Sequence, residues 1–251
     1  MQLLFLGDIV GRSGREVVKK QLPQWRSKGV DFVFANGENA AHGFGITKGV
    51  AHELRDMGID ALTTGNHVWD QRSFLQDIND IDFVCLPANL PTQQPGRRHM
   101  IVERNGKRVG LFCLLGQAFM ADKVSCPFEM ASKKVAELAP LCDAIVVDFH
   151  AEATAEKMAL GWHLDGKVDL IVGTHTHIPT ADARLLPKGT AYITDIGMCG
   201  SYDSILGFNY DTILQKALDG LPRKHTIATE NLKLSGVLVS IGKQNAIQLI
   251  F

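Results

Sequence analysis

Apolar residues gather in short runs along the chain: Leu3–Leu6, Phe32–Ala35, Ala61–Thr63, Ala144–Phe149 and Leu170–Val172. Runs that are apolar on both faces predict strands buried in the middle of a sheet. Between them, Thr47–Met57 carries Val50, Leu54 and Met57 on one face, and Met130–Leu141 carries Val135, Leu138 and Leu141. That spacing predicts helices. Strands alternating with helices indicate an α/β fold. Two regions read as antiparallel instead. Met100–Glu103 and Val109–Leu115 flank Asn105-Gly106, a strong hairpin signal, and Leu234–Ile241 and Ala246–Phe251 flank a turn at Gly242–Asn245. Mixed sheets in one domain spanning 1–251 are expected, since no stretch reads as a linker.

Composition narrows the class. The 251 residues hold 26 Lys+Arg against 27 Asp+Glu, a net charge of −1. A broad nucleic-acid surface needs a basic excess, so extended nucleic acid is disfavoured as a partner. The five cysteines are widely spaced and contain no C-x-x-C pair, which points away from zinc fingers and disulfide frameworks. The apolar start runs into Asp8 too soon for a signal peptide, and no run reaches the roughly 18 residues of a membrane span. A cytoplasmic protein that binds no membrane is the expectation.

The chemistry lies where the strands end. Leu3–Leu6 ends in Gly7-Asp8, Phe32–Ala35 in Asn36-Gly37-Glu38-Asn39, and Ala61–Thr63 in Thr64-Gly65-Asn66-His67. Ala144–Phe149 ends at His150, and Leu170–Val172 in Gly173-Thr174-His175-Thr176-His177. A single such Asp or Asn is usually only a cap or turn former. All five together suggest convergence, because the carboxyl ends of strands form the ligand crevice of open α/β sheets. The mixture of imidazole, carboxylate and amide oxygen without thiolate suits Fe, Mn or Zn. Residues two apart in an extended segment share a side, so His175 and His177 can serve one ion or two neighbouring ones.

Rival motifs fail on spacing. The glycines of Gly7–Gly14 form neither G-x-G-x-x-G nor a Walker loop, and no G-x-S-x-G is present. Cys199 is the best candidate for a reactive thiol, with a buried inert cysteine as the stronger reading.

The series of strand ends resembles the calcineurin-like metallophosphoesterase superfamily, whose motifs run D-x-H, G-D-x-x-D, G-N-H-[ED], H and G-H-x-H. Three departures stand out: Val10 replaces the histidine of the first motif, Glu38 replaces the bridging aspartate, and Val68-Trp69-Asp70 follows the G-N-H. These match a bacterial branch similar to the 2′,3′-cyclic-nucleotide phosphodiesterases, with G-D-I-V-G-R-x-G-R and N-G-E-N, in which the asparagine after the glutamate takes the lost ligand position. The resemblance implies a four-layer α/β/β/α sandwich and two metal ions, Fe and/or Mn. One ion would take Asp8, Glu38, Asn39 and His177, the other Glu38, Asn66, His150 and His175.

Two carboxylates against two divalent ions leave such a site net positive, an electrostatic fit for a phosphodiester. The reaction implied is hydrolysis of a 2′,3′-cyclic nucleotide or similar small phosphodiester by metal-activated hydroxide. His67 matches the family's catalytic position and would protonate the leaving oxygen. His42, in a glycine-flanked loop after Glu38-Asn39, is a candidate substrate contact, balanced against a structural role. Phe44 and Trp69 are read first as packing residues, with base stacking as the second reading. Alternatives are a phosphomonoesterase or nuclease with the same metals, or a regulatory protein that binds metal with little catalysis. Homo-oligomerisation is left open.

Overall fold

The computed structural model describes residues 1–242 and 245–251. Two six-stranded sheets dominate. The first runs, in spatial order, Ala246–Ile250, Gly236–Ser240, Gln2–Leu6, Phe32–Asn36, Ala61–Thr63 and Val84–Cys85. The second runs Arg184–Leu185, Ala191–Ile193, Leu170–Thr174, Ala144–His150, Lys107–Leu115 and Met100–Arg104. Among the described residues, six α-helices accompany them: α1 (Gly11–Ser27), α2 (Lys48–Asp56), α3 (Phe74–Asp77), α4 (Pro127–Leu138), α5 (Thr154–Leu164) and α6 (Tyr210–Asp219).

Three apolar cores stack these into layers. Between the sheets, Leu3, Phe5, Phe32 and Phe34 meet Leu111, Val146, Leu170 and Val172. The other face of the first sheet packs Leu4, Leu6 and Val33 on Val17, Val18 and Leu22 of α1 and on Leu54 of α2. The other face of the second packs Phe112, Val147 and Phe149 on Leu138 of α4 and on Leu160 and Leu164 of α5. The architecture is the four-layer α/β/β/α sandwich. Burying each such side chain contributes about 1.5–3 kcal/mol, so strands apolar on both faces are what this layering requires.

The hairpin turn falls at Asn105-Gly106, both at positive φ (51° and 69°), as a type I′ turn demands. Thr47 caps α2 by accepting the Val50 amide hydrogen at 3.3 Å. The expected helix at Met130–Leu141 instead spans Pro127–Leu138, because Pro127 suits the first turn and Pro140 cannot continue a helix. The terminal strands pair antiparallel as expected. Part of the turn between them, 243–244, lies outside the described residues.

The strands that matter for the site are parallel neighbours. Gln2–Leu6, Phe32–Asn36 and Ala61–Thr63 point the same way, as do Ala144–His150 and Leu170–Thr174. Their carboxyl ends therefore open on one edge of the sandwich. Asp8 is an exception to the simple strand-end picture. It enters a third, three-stranded sheet, where Asp8–Ile9 pairs parallel with Met198–Ser201.

Candidate metal centre

Four donor atoms from four segments converge. His150 Nε2 lies 2.9 Å from Glu38 Oε1, 2.9 Å from Asn66 Oδ1 and 3.0 Å from His175 Nδ1. Donors bonded at about 2.1 Å to one octahedral ion sit about 3 Å apart along each edge, so this spacing fits a metal. The carboxylate and two imidazoles of the group are mutually within 4.8 Å.

A second set adjoins it through Glu38. Asn39 Nδ2 is 3.3 Å from Glu38 Oε1 and 3.2 Å from His177 Nε2, which is 3.8 Å from Asp8 Oδ1. Asp8 Oδ1 and Asn39 Oδ1 are buried oxygens with no hydrogen-bond partner among the described residues. Orphaned buried oxygens cost free energy unless something binds them, and two beside a carboxylate and an imidazole are what a cation satisfies. A half-turn of the Asn39 amide puts Oδ1 where Nδ2 stands. The residues present therefore fit two metal ions.

Local backbone sets this up. Gly65 passes so close that a Cβ there would lie 2.2 Å from Glu38 Oε2 and 2.5 Å from His150 Nε2. His175 and His177 both have positive φ (99° and 64°), so the segment after Thr174 is not the extended continuation expected. The left-handed turns send the two rings to different sets, His175 to His150 and His177 to Asp8 and Asn39. Such backbone costs about 1–3 kcal/mol per residue and needs outside support. Asp195 gives it: its Oδ2 accepts from the Thr176 backbone (3.2 Å), the Thr176 hydroxyl (2.7 Å) and the buried Lys157 ammonium (2.7 Å).

Each of the three histidines has its other ring nitrogen engaged. His150 Nδ1 meets the Thr174 hydroxyl at 2.8 Å, and that hydroxyl donates to Asp148 Oδ1 at 2.7 Å. Thr174 must then accept from Nδ1–H, leaving Nε2 as the lone pair facing the other donors. Asn36 and Thr63 also donate to Asp148, which holds this support in place. His177 Nδ1 donates to the Leu206 carbonyl at 3.1 Å, and His175 Nε2 meets Glu152 Oε2 at 3.1 Å. Outer partners of this kind fix tautomer and ring orientation.

The electrostatics call for positive charge. Burial pushes Asp8 up to about 6, against the pull of His177 and His150. Burial also disfavours charge on Glu38, but the facing His150 outweighs it and holds the carboxyl down at about 2. His150 is raised correspondingly to about 9, and burial together with the neighbouring His150 lowers His175 to about 3.

His67 sits at the edge of this cluster. Its backbone N–H donates to Glu38 Oε2 (3.1 Å), and its Nδ1 meets Asp70 Oδ2 at 2.8 Å. It lines a cavity of about 350 Å³ that Glu38, Asn39, His175 and His177 also line. His42 is exposed, with φ 57°, and the cavity lining takes its neighbours Gly43 and Phe44 instead. Trp69 packs on Phe74 and donates to Gln94, consistent with its packing reading. Cys199 is buried on the Ser235 carbonyl, and burial pushes its thiol up to about 12, so it is no nucleophile.

Sequence reasoning gave no role to Asp70, Asp148, Thr174, Glu152, Asp195, Phe208 or the Leu206 carbonyl. Two of these carried a signal: Asp148 is two residues before His150 on one strand face, and Asp70 is one turn after His67. The others are brought in by segments far apart in the chain.

Two sheets packed face to face, with a nitrogen and oxygen donor cluster at their strand ends, define a metallophosphoesterase of the calcineurin-like class. The chain belongs to the YmdB-like protein family, whose sequence profile matches residues 4–250. It is 46% identical over 245 residues to the 2′,3′-cyclic-nucleotide 2′-phosphodiesterase of Bacillus subtilis, covering 97% of this chain and 92% of that one. A crystal structure described as a novel phosphatase of Mycoplasma pneumoniae superposes with TM-score 0.92 at 34% identity, covering 100% of this chain and 92% of that one. A hypothetical protein of Thermus thermophilus superposes with TM-score 0.91 at 35% identity, with 99% of each chain covered. Among the described residues, no helix is long and apolar enough to cross a membrane.

Proposed function

We propose that this protein is a dinuclear-metal phosphodiesterase that hydrolyses 2′,3′-cyclic nucleotides or similar small phosphodiesters. The observation that carries the reading is the convergence of Glu38, Asn66, His150 and His175 beside Asp8, Asn39 and His177, with His67 on the same cavity wall. The Bacillus relative's activity supports the substrate class. In this reading Asp8, Glu38, Asn39 and His177 hold one ion, and Glu38, Asn66, His150 and His175 the other. The nitrogen and oxygen donors suit Fe or Mn. Held by these residues, two such ions would supply a water of lowered pKa and neutralising charge for the phosphate.

His67 moves the proton. Asp70 engages Nδ1 and orients the ring, so Nε2 is the nitrogen that gives a proton to the leaving oxygen. The tie from the His67 amide to Glu38 keeps that acid in register with the ligand cluster. Phe44 packs edge-on against the imidazole at 5.0 Å and limits the positions its ring can take.

The test is hydrolysis of 2′,3′-cyclic AMP, 3′,5′-cyclic AMP and a phosphomonoester by protein stripped of metal and reloaded with Mn or Fe. Metal-dependent turnover of the cyclic diesters is expected. His67→Ala should retain both ions and lose about 10²- to 10⁴-fold in kcat. An unchanged rate would remove the acid role, and no metal-dependent turnover of any substrate would favour a regulatory metal protein.

A further inference from the structure

The cavity beside the ligand cluster has two unlike walls. One carries the histidines and carboxylates. The other is apolar, formed by Phe44, Ile205, Leu206, Phe208 and Ile213. Phe44 and Phe208 stack with centroids 5.0 Å apart and planes 21° from parallel, and the His225 ring packs 5.4 Å from Phe208. Gly43 makes this approach feasible. At φ 92° it has no room for a side chain, since a Cβ would lie 2.8 Å from the Phe208 ring. Among the described residues, no lysine or arginine lines the cavity.

These features bear on what enters. With neither lysine nor arginine in that lining, phosphate charge is met only at the metal cluster and His67, so a second phosphate away from them would meet no cation and would face Glu152. A volume of about 350 Å³ is near the small end of ligand sites, enough for one nucleotide. The aromatic and aliphatic wall offers a flat ring a surface to pack on, as base-binding proteins do with aromatic side chains. Its side chains present no hydrogen-bonding group that would read a base edge.

We infer that the Phe44–Phe208–Ile213 wall is a nucleobase platform that accepts any base and makes the site selective for substrates with one phosphate and one flat ring. The inference rests on the phosphodiesterase reading and adds its specificity determinants. Because apolar contact discriminates weakly, purine and pyrimidine substrates should differ by about tenfold or less in kcat/KM.

The test compares 2′,3′-cyclic AMP and 2′,3′-cyclic UMP with ribose 2′,3′-cyclic phosphate, which keeps the reacting ring and lacks the base. It includes 2′,3′-cyclic AMP carrying an added 5′-phosphate. The base-bearing substrates should have KM values roughly tenfold lower than the base-less one, and the added phosphate should weaken binding. Phe44→Leu and Ile213→Ala should narrow that gap. Ile213 lies on α6, which has no buried residue, so its truncation keeps the fold. Calorimetric binding of adenosine 2′-monophosphate and ribose 2-phosphate to Mn-loaded protein measures the same gap without turnover. Equal affinities with and without the base, or a gap that both variants leave intact, would overturn the platform. Absence of hydrolysis with a base-dependent affinity that both variants narrow would overturn the phosphodiesterase reading and leave the platform standing.

Discussion

Glu152 Oε2 stands 3.1 Å from His175 Nε2, across the ring from the Nδ1 that faces His150 at 3.0 Å. The carboxylate thereby selects the tautomer whose lone pair points at the other donors. Glu152→Ala should lower affinity at the Glu38–Asn66–His150–His175 set by about 10- to 100-fold, and Glu152→Gln, which keeps an acceptor oxygen, by less. Chelator competition checks this. Equal affinities in all three proteins would remove the role.

Gly65→Ala tests the cradle. The new Cβ would lie 2.2 Å from Glu38 Oε2, so the carboxylate and His150 must both retreat. The expected result is a folded protein by circular dichroism whose metal content falls below one ion per chain. Full metal content would show that the cluster tolerates the shift.

Metal loading should be proton-linked. His150 is raised to about 9, so below that pH a proton occupies the imidazole and an ion must displace it. Above pH 7 Asp8, at about 6, is already ionised, Glu38, at about 2, is ionised, and His175, at about 3, is neutral. Between pH 7 and 9, affinity should therefore rise about tenfold per unit, with close to one proton released by calorimetry, and then level off. A flat profile over that window would contradict it.

Lys157 and Asp195 form a buried pair at 2.7 Å, and the same carboxylate tethers Thr176 between the two histidines. Lys157→Met leaves that carboxylate uncompensated, a loss of about 3–5 kcal/mol. For a chain of this size the melting temperature should drop by roughly 10 °C. A drop of only a degree or two would mean that the pair contributes little.

Much of this was legible in the chain. The two-faced apolar runs marked the central strands of both sheets, because a strand covered on each side can carry apolar residues at every position. The strand ends at Asp8, Glu38, Asn39, Asn66, His67, His150, His175 and His177 stood out as polar groups where such runs stop. Other features had no local signal. The apolar stripe of α6 (Ile213, Leu214, Ala217, Leu218) gives no sign that the helix buries none of it, and the two-residue strand at Asp8 exists only because Met198–Ser201 lies beside it. His42 shows the limit in the other direction: proximity in sequence to Glu38 does not put it in the cavity lining.

The sequence by itself determined an α/β fold with mixed sheets and the list of groups with ligand chemistry, since both follow from residue type and period along single segments; the four layers were implied by the family resemblance. Only the tertiary structure decided how those groups are used. Which nitrogen of each imidazole faces inward is set by Thr174, Glu152 and the Leu206 carbonyl, and that His67 leans on Asp70 and Phe44 is set by how their loops meet. The reason is physical: hydrogen bonds and ring contacts form between atoms a few ångströms apart in space, and Leu206 and His177, which meet at 3.1 Å, lie 29 residues apart in the chain.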